Sequence, residues 1–191
     1  KVYFDSKYDI REVMRFLFNS DFFKSEDCWY EKVKSPAELV TGVMRLTGAV
    51  DMPRYDTFSK QLRMQYMGQT LSNPPSVEGW DGGTAWIDTG ALVERMNFAA
   101  EELGNLTTPG SQQLFDKFVA ENSEQISPDR VIDICLEHIG SLTIHRDTRL
   151  KLVEYANENG GVRVDGNQLD ELGKDTISGT VKLIASTPEF Q

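Results

Sequence analysis

A chain of 191 residues, 39% hydrophobic and 26% charged, is long enough to bury a core without disulfide or metal staples, and its composition is that of a folded protein rather than a disordered or fibrous one. Twenty Lys and Arg stand against thirty Asp and Glu, a formal net charge of −10, and a surface of that sign repels phosphate backbones and anionic lipid headgroups. Nucleic acid is thereby excluded as an expected partner: a gel shift with DNA or RNA at physiological salt should show no sub-micromolar complex, and finding one would overturn the charge argument.

Hydrophobic periodicity is helical almost throughout. Ile10, Val13, Met14, Leu17 and Phe18 share one helix face ahead of the aromatic pair Phe22 and Phe23. Ser35, Pro36 and Glu38 read as N-cap, first-turn proline and capping-box acid of a helix that carries Leu39, Val43 and Leu46 and stops at Gly48. A third helix, from about Asp56 to Met67, carries Phe58, Leu62 and Tyr66 and closes at Gly68. From Gln69 to Gly83 the composition turns to Pro, Gly and Trp, which breaks regular structure and by itself suggests mobility. The loop is nonetheless expected to be ordered and packed across the next helix, because Val77 and Trp80 offer apolar area and Pro74 and Pro75 lower the entropy lost. That helix is read from Ala85 through Leu92, Met96 and Ala99 to Leu103. Beyond 104–110, where a subdivision of the domain would fall, helices are expected near 111–121, from the Ser127 cap and Pro128 to Ile139, near 146–158 and near 176–185. Val162 to Val164 alternates like a strand but is too short to build a sheet alone. The class is all-α, a single orthogonal or bundle-like domain over 1–191 with about seven to nine helices. No apolar run approaches the roughly 20 residues of a membrane span, so no membrane insertion is expected, and the start at Lys1 reads as a piece of a longer chain.

The chemistry is sparse. There is no nucleophile elbow, phosphate-binding glycine loop or metalloprotease motif, and no cofactor is expected. Cys28 and Cys135 have neither zinc nor redox spacing and read as free, buried thiols. His138, His145 and Asp147 are the one two-histidine, one-carboxylate grouping, better explained as helix-end residues. Asp165, Asn167, Asp170 and Glu171 fail the calcium-loop spacing and read as an acidic turn. Trp80 and Trp86 flank Asp81, Gly82 and Gly83, and flat aromatic faces beside a carboxylate are how sugar sites are often built. Asp88, Arg95 and Glu102, seven apart, share a helix face that could line a polar cleft, with Arg95 expected to reach back to loop carbonyls or Asp81. The candidate binding residues are therefore Trp80, Asp81, Trp86, Asp88 and Arg95, with no catalytic or metal residue assigned.

The run Trp29-Tyr30-Glu31-Lys32-Val33-Lys34-Ser35-Pro36-Ala37-Glu38-Leu39-Val40, then Met67-Gly68-Gln69, Pro74-Pro75, Gly79-Trp80, Trp86-Ile87-Asp88-Thr89 and Arg95, with the ending Ser186-Thr187-Pro188-Glu189-Phe190-Gln191, resembles the bacterial domain of unknown function 1800. The resemblance implies the C-terminal part of a larger, exported and so extracytoplasmic protein, encoded beside another exported protein that is a candidate partner. It supplies no activity and no catalytic residue. Two functions follow as expectations: a non-catalytic helical binding or assembly module, or part of an enzyme acting on an extracellular polysaccharide through the Trp80, Asp81 and Asp88 region. The exposure of Trp80 is the discriminating observation.

Overall fold

A computed structural model describes residues 1–29, 31–48, 55–121, 123–140, 142–166 and 168–191. Among the described residues there are ten α-helices and three very short strands, so the all-α class holds. The chain forms two compact units, Lys1–Val33 and Lys34–Gln191.

The first unit contains α1 (Val2–Asp5), α2 (Ile10–Asn19) and α3 (Asp21–Lys24), followed by a 3₁₀ turn over Glu26–Cys28. Asp9 caps α2 by accepting the Arg11 N–H, and Ser20 accepts the Phe23 N–H at the head of α3. The apolar face of α2 forms as the spacing predicts, yet none of its residues is fully buried. Tyr3, Phe4 and Tyr8 meet edge to face, as do Phe18 and Phe23. Cys28 is half-buried rather than enclosed, its Sγ 3.1 Å from the Phe22 carbonyl oxygen.

In the second unit, α4 (Pro36–Thr47) begins with the complete capping box of Ser35 and Glu38 and ends at Gly48, whose φ of +71° needs a residue without a Cβ. The next helices are α5 (Tyr55–Tyr66), α6 (Thr89–Leu103), α7 (Pro109–Ala120), α8 (Pro128–Ile139), α9 (Arg146–Glu158) and α10 (Glu171–Ala185). Strands β1 (Gln125–Ile126), β2 (Val162–Asp165) and β3 (Gln168–Leu169) form an antiparallel sheet in that order, with Ile126 opposite Val162 and Val164 opposite Leu169. The segment judged too short for a sheet is thus its centre strand, because partners on both sides supply the hydrogen bonds. Its alternation buries Val162 and Val164 against α10.

Helix α10 lies at the centre, packed on α6, α8, α9 and β2, and α6 packs in turn on α4. Phe98, Phe118, Val131, Ile132, Cys135, Ala156, Ile177 and Ile184 form the dry middle of the core. α10 starts five residues before its expected position. Asp170 caps it by accepting the Gly173 N–H at 2.7 Å, and a Cβ on Gly173 would crowd the same carboxylate oxygen. The α5 stripe also differs from expectation: Phe58 and Tyr66 are exposed, and Met64 and Met67 are buried in their place. No helix among the described residues is long and apolar enough to cross a membrane.

Both cysteines are free, and burial pushes the Cys135 thiol far above its ordinary range, with Lys117 offsetting part of the shift. Cys28 should react first with a thiol reagent in the native protein, Cys135 only on unfolding, and non-reducing denaturation should expose two thiols. Recovery of none would contradict free cysteines.

Candidate functional site

The groove that gathers most of the candidate residues is built by the end of α5, the loop from Gln69 to Gly83 and the entry to α6. The Gly68 N–H returns to the Gln65 carbonyl and the Gln69 N–H to the Met64 carbonyl, with Gly68 at φ +94°. Gln69 is then buried, and its side-chain oxygen accepts the Ala37 N–H at 2.8 Å, one of the unsatisfied donors in the first turn of α4. The loop is pinned at this end by a polar contact that no hydrophobic pattern reveals.

Beyond Gln69 the chain makes a turn from Thr70 to Asn73 and a second from Ser76 to Gly79, closed by a 3.1 Å backbone hydrogen bond and helped by the Ser76 hydroxyl, which accepts the Glu78 N–H. Gly79 takes a φ of +99°. Val77 at the tip of this turn is fully exposed, so the expectation that it packs on the following helix fails. A tight turn projects its central side chains outward. Trp80 and Trp86 supply the packing instead: Trp80 is half-buried, and Trp86 is buried with 8% of its surface exposed.

A 3₁₀ turn over Gly83–Ile87 precedes α6, so Ala85 and Trp86 lie outside the helix to which their spacing assigns them. Asp88 is the reason the helix starts later. Its Oδ1 accepts the Ala91 N–H at 2.8 Å, which makes it the N-cap. The resulting groove, of about 340 Å³, is lined by Tyr66, Trp80 and Trp86 on its aromatic walls and by Asp81 and Asp88 as its charged groups. Gly68 passes close to one wall: a Cβ there would touch Cζ3 of Trp86 at 4.0 Å.

Four of the five candidate residues therefore meet, and Arg95 does not join them. Arg95 lies in the buried stripe of α6 with Phe98 and Leu103 and has no exposed surface. It donates through Nη1 to the Lys34 carbonyl at 2.8 Å, through Nη2 to the Gln191 carbonyl at 2.7 Å and through Nε to the Gln191 side-chain oxygen at 3.2 Å. Asp81 and the loop carbonyls are not among its partners. Lys34 completes this cluster, donating to the Phe190 carbonyl with its Nζ 4.5 Å from the Phe190 ring centre. Burial, and then the Arg95 charge, lower the Lys34 pKa, and burial lowers that of Arg95. The two cations serve the C-terminal segment.

The acid-rich surface of α6 is likewise structural. Glu102 pairs with Lys60, and Arg63 bridges Glu94, at 2.6 Å, and Glu101, tying α5 to α6 beside the groove. Asp88, Arg95 and Glu102 thus have three separate tasks and line no common cleft. Among the described residues no three His, Cys, Asp or Glu side chains converge as metal ligands. His138 is half-buried, with its pKa lowered by burial and by Lys117. Asp165 lies in the β2–β3 hairpin, Asp170 caps α10, Glu171 pairs with Lys174, and Asn167 falls outside the described residues.

Tyr66, Gln65 and Pro75 also line the groove and were not among the sequence candidates. Tyr66 is hidden there because helical spacing assigns it to a buried stripe, whereas it is the last residue of α5 and mostly exposed.

Residues 1–191 match the family described as "Protein of unknown function (DUF1800)". No curated protein and no solved structure matches the chain.

Proposed function

Starting from a chain that belongs to the DUF1800 family, to which no function is assigned, we propose that it is a non-catalytic binding module whose ligand enters the groove between α5 and α6. The observation that carries this reading is the groove of about 340 Å³ whose walls are Tyr66, Trp80 and Trp86. Aromatic faces give a ligand apolar contact area at little entropic cost, and the polar rim orients it. The walls are held before any ligand arrives, by the Gln69 contact on one side and the Arg63 and Lys60 ion pairs on the other. Preorganisation of this kind favours binding.

Catalysis is less well supported by the same atoms. Glycosidic hydrolysis needs one carboxyl group that donates a proton and another that acts as base or nucleophile. Asp88 is occupied as the N-cap acceptor of α6, its Oδ1 taking the Ala91 N–H, which leaves Asp81 without a second carboxyl group free for the other role. The half-exposed ring of Trp80 does leave contact with a glycan open as a second reading. An exported setting and an exported protein partner belong to the same proposal and are supported by the family resemblance alone.

The test is calorimetric titration of defined oligosaccharides, amines and peptides into the protein and into Trp80→Ala. Binding without turnover, lost in the variant, is expected. Because the ring is only half-buried, the substitution should cost about 2 kcal/mol of stability, less than emptying a closed aromatic site. Release of reducing ends from a glycan would favour the enzymatic reading. No ligand, with Trp80→Ala several-fold more destabilised than stated, would make the loop purely structural.

A further inference from the structure

We propose that the occupant of the α5–α6 groove is an organic ammonium group, carried on a lysine side chain of a partner or on a small quaternary amine. The inference rests on the binding-module reading above and narrows its ligand class. The first ground is the charge of the lining. Among the described residues, Asp81 and Asp88 are the charged groups of the lining, and no Lys or Arg side chain joins them. Among the described residues neither aspartate is ion-paired. The nearby cations Lys60 and Arg63 are committed to Glu94, Glu101 and Glu102 on α6. A ligand without hydrogen-bond donors would desolvate the Asp81 carboxylate and the free Asp88 oxygen without compensation, whereas a cation replaces the lost water with direct attraction.

The second ground is the wall chemistry. Tyr66, Trp80 and Trp86 line the groove, and an aromatic ring, indole most strongly, attracts a cation placed over its face. A volume of about 340 Å³ holds a trimethylammonium head and the first atoms of its carrier. Arg95, on the helix that the groove adjoins, is withdrawn into the core by its bonds to Lys34 and Gln191. The net charge of −10 adds a long-range field that draws cations toward the surface.

The experiment follows the three tryptophan indole N–H signals by two-dimensional NMR. The probes are choline, N-acetyl-lysine methylamide, 3,3-dimethyl-1-butanol as the uncharged isostere of choline, and a neutral oligosaccharide. Choline or the lysine derivative should shift Trp80 and Trp86, with the uncharged isostere at least tenfold weaker. Preference for choline identifies a small-molecule source, and preference for the lysine derivative a protein side chain. Asp81→Asn should weaken the amine about tenfold while leaving Tm and the circular dichroism spectrum unchanged. Equal binding of the uncharged isostere, or an Asp81→Asn variant that binds amine as tightly as the parent, overturns the inference. If the oligosaccharide binds and the amines do not, the inference fails while the binding-module reading stands. If no probe moves Trp80 or Trp86, the inference fails, and the reading on which it rests loses its groove.

Discussion

Replacing Arg95 with Ala should destabilise the protein by about 3 to 5 kcal/mol, because three acceptors in a closed environment lose their donor together. The guanidinium is fully buried and spans from the Lys34 carbonyl before α4 to the main chain and side chain of Gln191 after α10. One side chain therefore joins segments distant in sequence to the middle of α6. With roughly 2 to 4 °C of Tm per kcal/mol for a chain of this size, a fall on the order of 10 °C is expected by thermal scanning. Arg95→Lys should recover less than half of it, since a single ammonium lacks the planar fork that reaches divergent acceptors. A Tm within 2 °C of the parent in Arg95→Ala would show that the C-terminal segment does not depend on this tie.

Gly110→Ala should cost about 3 kcal/mol, the upper end for overpacking, although alanine is the better helix former. Gly110 lies in the first turn of α7, where it meets the end of α4, and a Cβ there would lie 2.0 Å from the Leu46 carbonyl oxygen and 3.0 Å from the Thr47 Cα. Both obstacles are backbone, so relief requires α4 and α7 to separate. Gly42 is the control. It sits inside α4, a Cβ there meets nothing within 4 Å, and Gly42→Ala should raise stability by up to about 1 kcal/mol. Urea melts of the two variants should therefore move in opposite directions. If Gly110→Ala also stabilises, the close approach of α4 and α7 is not a constraint on the fold.

What the sequence by itself determined was whatever depends on near neighbours along the chain. The capping box at Ser35 and Glu38, the Ser127 cap with Pro128 and the span of α9 are visible because caps and apolar spacing act within a few residues. The same locality made Trp80, Asp81, Trp86 and Asp88 legible as neighbours, and they do line one groove. Tertiary structure decided everything that turns on a distant partner. Arg95 occupies a helix position that reads as polar surface, and it is buried because Lys34 and Gln191, 61 and 96 residues away, supply acceptors there. Val162 to Val164 became a centre strand only because Ile126 and Leu169 arrive on either side. Tyr66 left its expected buried stripe for the groove wall, and Gln69 was drawn inward by an Ala37 N–H at the head of another helix. A polar side chain is buried or exposed according to whether the fold brings it a partner, and periodicity carries no information about partners that are not near in sequence.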